Sequence, residues 1–161
     1  MKTIIIMLLC LTMMGCSSIT DDDDDVVEKV RAGDRLPVFS VTVTADGQQR
    51  TFSTEKLTGE IVIVLFSSTC KDCQRELPRL NDYYLKHRGD EGFQMVAISR
   101  AEGESVVAPF WKEYNLSIPY SAQEDRRIYE LFASSIVPRV YFSNAQGIVT
   151  RVYIERLPTD F

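Results

Sequence analysis

The sequence predicts one α/β domain in which helices flank a mixed β-sheet, and three observations carry that expectation. Residues 61–66 form an unbroken apolar, β-branched run, the pattern of a strand buried on both faces of a parallel sheet. Helical spacing follows, then a second strand pattern at residues 94–99, which reads as strand, helix and parallel strand. Near the end, residues 139–143 and 148–154 read as a hairpin closed by Asn144, Ala145, Gln146 and Gly147.

With 161 residues, 45% of them apolar and 25% charged, the chain has room for one core and predicts no second domain. Lys and Arg number 18 against 23 Asp and Glu; the net charge of -5 includes no basic stripe of the kind a phosphate backbone requires, so nucleic acid is not an expected partner.

The chain starts with one lysine and an apolar block at residues 4–14, shorter than the roughly 20 residues a spanning helix needs. It reads as a secretory signal. Met13-Met14-Gly15-Cys16 resembles the bacterial lipoprotein processing box, with Met13 where that box usually has Leu. The resemblance implies cleavage after residue 15 and lipidation of Cys16, whose acyl chains gain about 0.8 kcal/mol per buried methylene at a membrane surface. Asp21, Asp22, Asp23, Asp24 and Asp25 repel one another and stay solvated, so the run reads as a spacer; the alternative is a frayed acidic first turn leading into Val26 and Val30. Three regions are therefore expected: a signal peptide at 1–15, a lipidated cysteine with an acidic linker at 16–32, and a folded domain at 33–161.

Gly33-Asp34 supplies a turn, and alternation after Pro37 predicts a strand at 40–44. Asp46-Gly47 turns the chain into a partner strand at 49–52. Residues 57–60 break the pattern before the apolar run. From Cys73, the apolar positions Leu77, Leu80, Tyr83 and Tyr84 recur at helical spacing up to Lys86-His87-Arg88-Gly89, a basic last turn with glycine beyond it. His87 there suits the helix dipole. Residues 104–114 predict a second helix whose Phe110, Trp111 and Tyr114 form its packed face, and residues 126–132 a short third one. No repeat is present, and no low-complexity tract besides the aspartates.

Of four cysteines, Cys10 lies in the signal and Cys16 would carry lipid, which leaves Cys70 and Cys73 for the folded domain in an oxidising compartment. They sit where the first core strand meets its helix. A helix start offers free N–H groups and partial positive charge, which favour a thiolate. Cys70 is thus the expected nucleophile. Cys73, one turn on and more buried, comes within reach to close a disulfide and to resolve a mixed one. The expected redox centre is the Cys70–Cys73 pair itself, with no bound cofactor. Zinc would need two further ligands where the domain offers a single His. A static disulfide would close too small a loop to stabilise much.

The run Cys70-Lys71-Asp72-Cys73-Gln74-Arg75-Glu76-Leu77-Pro78 and the triplet Ile136-Val137-Pro138 resemble the thioredoxin-like thiol-disulfide oxidoreductases of the TlpA and ResA type, over residues 33–154. These are membrane-anchored proteins outside the cytoplasm. The resemblance implies a thioredoxin-like sandwich with an N-terminal β-hairpin extension. It implies that Glu76 lies near the thiols and tunes proton transfer, that Pro78 bends the helix, and that Pro138 is cis, faces the sulfurs, shapes the substrate groove and keeps metal ions from the thiols. The Val137 backbone would then pair with an extended client segment. Thr69 stands where relatives usually have Trp, and Lys71-Asp72 where Pro is frequent; Thr69, Lys71, Asp72 and Val137 are the expected substrate contacts. Lys71 favours the Cys70 thiolate and Asp72 opposes it. The family's last helix has no counterpart after "YIERLPTDF", which predicts exposed apolar sheet surface suited to a homodimer or partner contact.

The implied function is reduction of disulfides in client proteins of the cell envelope, periplasmic or surface-exposed, by a lipid-anchored protein recharged by an electron-donating redox partner. The rivals fit less well. A peroxiredoxin motif, Pro-x-x-x-Thr-x-x-Cys, meets Ile63 and Ser67 here. Copper chaperones of the Sco type use a wider cysteine spacing and a later His. A non-catalytic binding module with the same fold is the non-enzymatic alternative.

Overall fold

A computed structural model of the chain describes residues 28–161. The signal, Cys16 and the aspartate run lie outside the described residues. The apolar run is strand β3 (Ile61–Phe66), and all six of its residues are buried. It is the middle of the sheet's core, parallel to β4 (Gln94–Ser99) with Ile61 opposite Gln94 and Phe66 opposite Ser99, and antiparallel to β6 (Arg139–Ser143). β7 (Val149–Ile154) pairs antiparallel with β6. At the other end, β1 (Ser40–Ala45) and β2 (Gln48–Ser53) form a hairpin whose turn residues Asp46 and Gly47 both have positive φ, 50° and 74°, the twist a two-residue hairpin prefers.

A seventh strand joins the two parts. β5 (Tyr120–Ser121) is parallel to β4 and antiparallel to β1, so the sheet runs β2-β1-β5-β4-β3-β6-β7. The hairpin is therefore an integral edge of one mixed sheet. Two paired residues carry no periodicity, which is why β5 has no signature in the sequence.

Both α-helices, α1 (Lys71–His87) and α2 (Glu104–Glu113), lie on one face. Val62 and Phe142 are opposite each other in the ladder, and Tyr83 of α1 meets the Phe142 ring edge-on. Phe66, on the same face of β3, meets Phe110 and Trp111 of α2. The other face is closed by Phe132 against Tyr141 and by Phe39 against Phe132. Of the helix expected at 126–132 only a 3-10 turn, Tyr129–Leu131, forms.

Of residues 28–32, assigned to the linker by their position after the acidic run, the first three are tied into the fold. Val30 is buried, Glu28 bridges Ala133, and the Lys29 N–H donates to the Phe132 carbonyl at 3.0 Å. At the other end, no helix follows β7 among the described residues, but the predicted bare sheet surface is a correction: residues 155–161 fold back over it. Leu157 is buried, and the Phe161 ring packs on Tyr83, Phe142 and Tyr153. Burial of those two apolar side chains supplies cover that a helix would otherwise give. Among the described residues no helix is long and apolar enough to cross a membrane.

Candidate active site

The chain leaves β3 through Ser67, Ser68 and Thr69 and enters α1 at Cys70, which is the helix N-cap with extended backbone, φ -80° and ψ 118°. A serine or threonine oxygen usually caps this position; here the Cys70 Sγ accepts the Cys73 N–H at 3.4 Å. The expected junction and the expected order of exposure both appear. Cys70 is partly exposed and Cys73 fully buried, and both are free thiols. Burial pushes the Cys73 thiol far above its ordinary range; a hydrogen bond from the Ser67 backbone and the Arg100 charge oppose this, while the neighbouring Cys70 adds to it.

The second wall of the site is the Val137–Pro138 peptide, which is cis. The Cys70 thiol donates to the Val137 carbonyl at 3.3 Å, so the leading sulfur rests against this wall. Val137 and Pro138 are buried, Thr69 and Lys71 exposed. Asp72 pairs with Arg75 at 2.5 Å, which offsets its opposition to a Cys70 thiolate.

Glu76 is 3% exposed, one turn beyond Cys73. Its Oε1 accepts from Arg75 Nε at 2.7 Å and its Oε2 from Arg79 Nη1 at 2.8 Å. It also lines a narrow cleft with Pro138, Val140, Tyr153 and Leu157. Among the described residues its carboxylate hydrogen-bonds arginines and neither sulfur. The same arginines reach the chain end, Arg75 to the Glu155 carbonyl at 3.3 Å and Arg79 to the carbonyls of Leu157 and Pro158. Glu76 thus sits as a paired anion between the active-site helix and the C-terminal segment. Pro78 lies inside α1 on its exposed side.

Two residues at the site have no motif to announce them. Glu102, in the loop after β4, accepts the Ser67 hydroxyl at 2.6 Å on one oxygen and the Ser68 N–H at 2.7 Å on the other. It holds the loop that delivers Cys70. Gln74 adds a third tie, from its side-chain amide to the Ser68 carbonyl at 2.8 Å. Arg100 donates its N–H to the Phe66 carbonyl at 2.8 Å, and its guanidinium lies 5.4 Å from the Tyr129 ring centre. Only spatial proximity across parallel strands brings residues 100 and 102 here, and a single sequence does not display it. Among the described residues no cluster of side chains suited to a metal ion occurs.

A partly open sulfur at a helix start, a buried partner one turn on and a cis-proline wall form an arrangement that can exchange thiols with a disulfide. Comparison with known proteins agrees. Residues 32–152 match the AhpC/TSA family. The thiol-disulfide oxidoreductase ResA of Oceanobacillus iheyensis is 26% identical over 99% of this chain and 82% of its own. Among solved structures, a proposed protein disulfide isomerase from Bacteroides thetaiotaomicron superposes with a TM-score of 0.75 at 24% identity, covering 83% of this chain and 84% of that one. A thioredoxin-family thiol:disulfide interchange protein from Chlorobium tepidum gives 0.61 at 23% identity over 77% and 86%. With its Cys-x-x-Cys at the head of α1 and a thioredoxin-like sheet beneath it, the chain belongs to the AhpC/TSA family and stands among that family's ResA-like redoxins.

Proposed function

We propose that this thiol-disulfide oxidoreductase reduces disulfides in other proteins outside the cytoplasm. The single observation that carries the proposal is the asymmetry of the pair: Cys70 is partly open at the N-cap of α1, and Cys73 is sealed beneath it. In the first step the Cys70 thiolate attacks a client disulfide, its S–S bond breaks, and one client sulfur leaves as thiolate. Cys73 then gives up its proton and attacks the Cys70 sulfur, which releases the second client sulfur and closes Cys70–Cys73. Two electrons pass to the client. Return to the dithiol takes two electrons from a separate redox partner, and no bound cofactor enters. A buried, high-pKa Cys73 suits the second step, because it stays protonated and silent until the mixed disulfide brings a leaving group to it.

Pro138 and Val137 form the wall against which the client segment lies, with Thr69, Lys71 and Asp72 at the rim. Glu76, buried one turn beyond Cys73 and paired with Arg75 and Arg79, tunes proton transfer at the pair. A peroxidase reading draws less support, because the Ser67 hydroxyl is bonded to Glu102 and Thr69. The lipid anchor at Cys16 and the envelope location rest on the signal-like N-terminus.

Reduction of insulin with dithiothreitol as donor, together with the pair's reduction potential, tests the reading. The wild-type protein should turn insulin over and Cys70→Ser should not. The potential should lie below about -200 mV; a value near the roughly -120 mV of a strong oxidant reverses the direction.

A further inference from the structure

Arg139 heads the fully buried side chains of the described residues, and it directly follows Pro138. A cation sealed in a central strand calls for a reason. Its guanidinium points back at the loop before the proline. Nε donates to the carbonyls of Ser135 and Ile136, each at 3.1 Å, and Nη2 to Ser135 at 3.0 Å. The Tyr129 hydroxyl donates to the same Ile136 carbonyl at 3.0 Å. Ile136 has φ 67°, a left-handed conformation that β-branched side chains rarely adopt and that persists only where neighbours hold it. The next residue, Val137, is the one whose carbonyl meets the Cys70 sulfur.

Among the described residues the charge has one counterpart. Arg139 Nη1 makes no hydrogen bond among the described residues, and Glu28 Oε1 lies 3.7 Å from it. Glu28 is held in place by its bridge to Ala133. A guanidinium keeps its charge even when buried, so an anion nearby decides whether the arrangement is tolerated.

We propose that Arg139 is a positioning residue, with Glu28 as its counter-ion, that fixes residues 135–138 where Val137 can receive a client segment beside Cys70. The proposal rests on the oxidoreductase reading. Arg139 touches no reacting atom and acts through the Ser135 and Ile136 carbonyls. Lysine cannot replace it, because an ammonium lacks the planar fork that spans two carbonyls.

The test is insulin reduction by the full chain carrying Arg139→Lys, with folding checked by thermal unfolding. The expected result is a KM raised about tenfold with kcat changed less than about twofold, as removal of a binding contact that acts equally in ground and transition states predicts. A folded variant with unchanged KM, or one in which kcat alone falls, overturns the proposal. Should Arg139→Lys not fold, Glu28→Gln decides on the same readout, with a KM rise of about threefold expected from loss of the counter-charge alone. Wild-type protein that leaves insulin untouched overturns the oxidoreductase reading itself, and this inference with it.

Discussion

At the residue scale, the site's reactivity rests on side chains that are not nucleophiles. Glu102 accepts two hydrogen bonds from the loop leading to Cys70, and hydrogen bonds to a charged group contribute about 1.5–3 kcal/mol each. Glu102→Ala should therefore lower stability by about 3 kcal/mol in urea unfolding. The loosened loop should also slow the reaction of Cys70 with disulfides, whereas Glu102→Asp should recover part of both. Cys70 and Cys73 stood out in the sequence by their spacing at a helix start, whereas Pro138 and Glu76 stood out only through the resemblance of the motifs around them. Glu102, Arg100 and Arg139 did not, since the first two reach the site from the loop after β4 and nothing in the linear order links residue 139 to residue 28.

At the scale of elements, every strand but the two-residue β5 was legible, and so were α1 and α2, whereas the short third helix was not. Residues 61–66, 94–99 and 139–143 coincide with β3, β4 and β6 because strands buried on both faces carry near-continuous apolar runs. α1 starts at Lys71, two residues before the apolar spacing begins, because the Cys70 cap sets the first turn. The stretch 126–132 forms a 3-10 turn at Tyr129–Leu131, with Tyr129 and Phe132 buried. How α1 is fixed to the sheet also escaped the pattern: buried Asn81 accepts the N–H groups of Ser117 at 2.6 Å and Ile118 at 3.3 Å, which anchors the helix beside β5. Asn81→Ala would leave both amides without that acceptor. A loss of about 2 kcal/mol is expected in denaturant unfolding, and Asn81→Asp should lose less.

For the whole molecule, the reduced protein should lose stability in alkali. The Cys73 thiol is raised above its ordinary value of 9.0, and Tyr83 and Tyr120 are raised from 10.0 to about 12, each chiefly by burial and the two tyrosines also by their bonds to Glu60 and Glu104. The folded state therefore keeps these protons after the unfolded chain has lost its own. Their contribution is complete below pH 9 and is lost as pH rises beyond it, through about 12 for the tyrosines. Urea midpoints should fall above pH 9, and more steeply for the dithiol than for the disulfide form, where Cys73 no longer titrates. A midpoint unchanged from pH 8 to 11 contradicts the burial of these groups.

The two faces of the sheet divide the labour. Both helices cover one face and α1 carries the sulfurs, while the other face is closed by the N-terminal segment and the chain between β5 and β6, which brings the cis-proline wall to the same edge. The central claim is that Cys70 strikes and Cys73 resolves. Its most direct measurement is mass spectrometry of the adduct formed when reduced Cys73→Ser protein meets a disulfide-bonded client. The account predicts a stable mixed disulfide mapped to Cys70, and none with Cys70→Ser. An adduct on Cys73 in the Cys70→Ser protein, formed as fast as the one on Cys70, would contradict it.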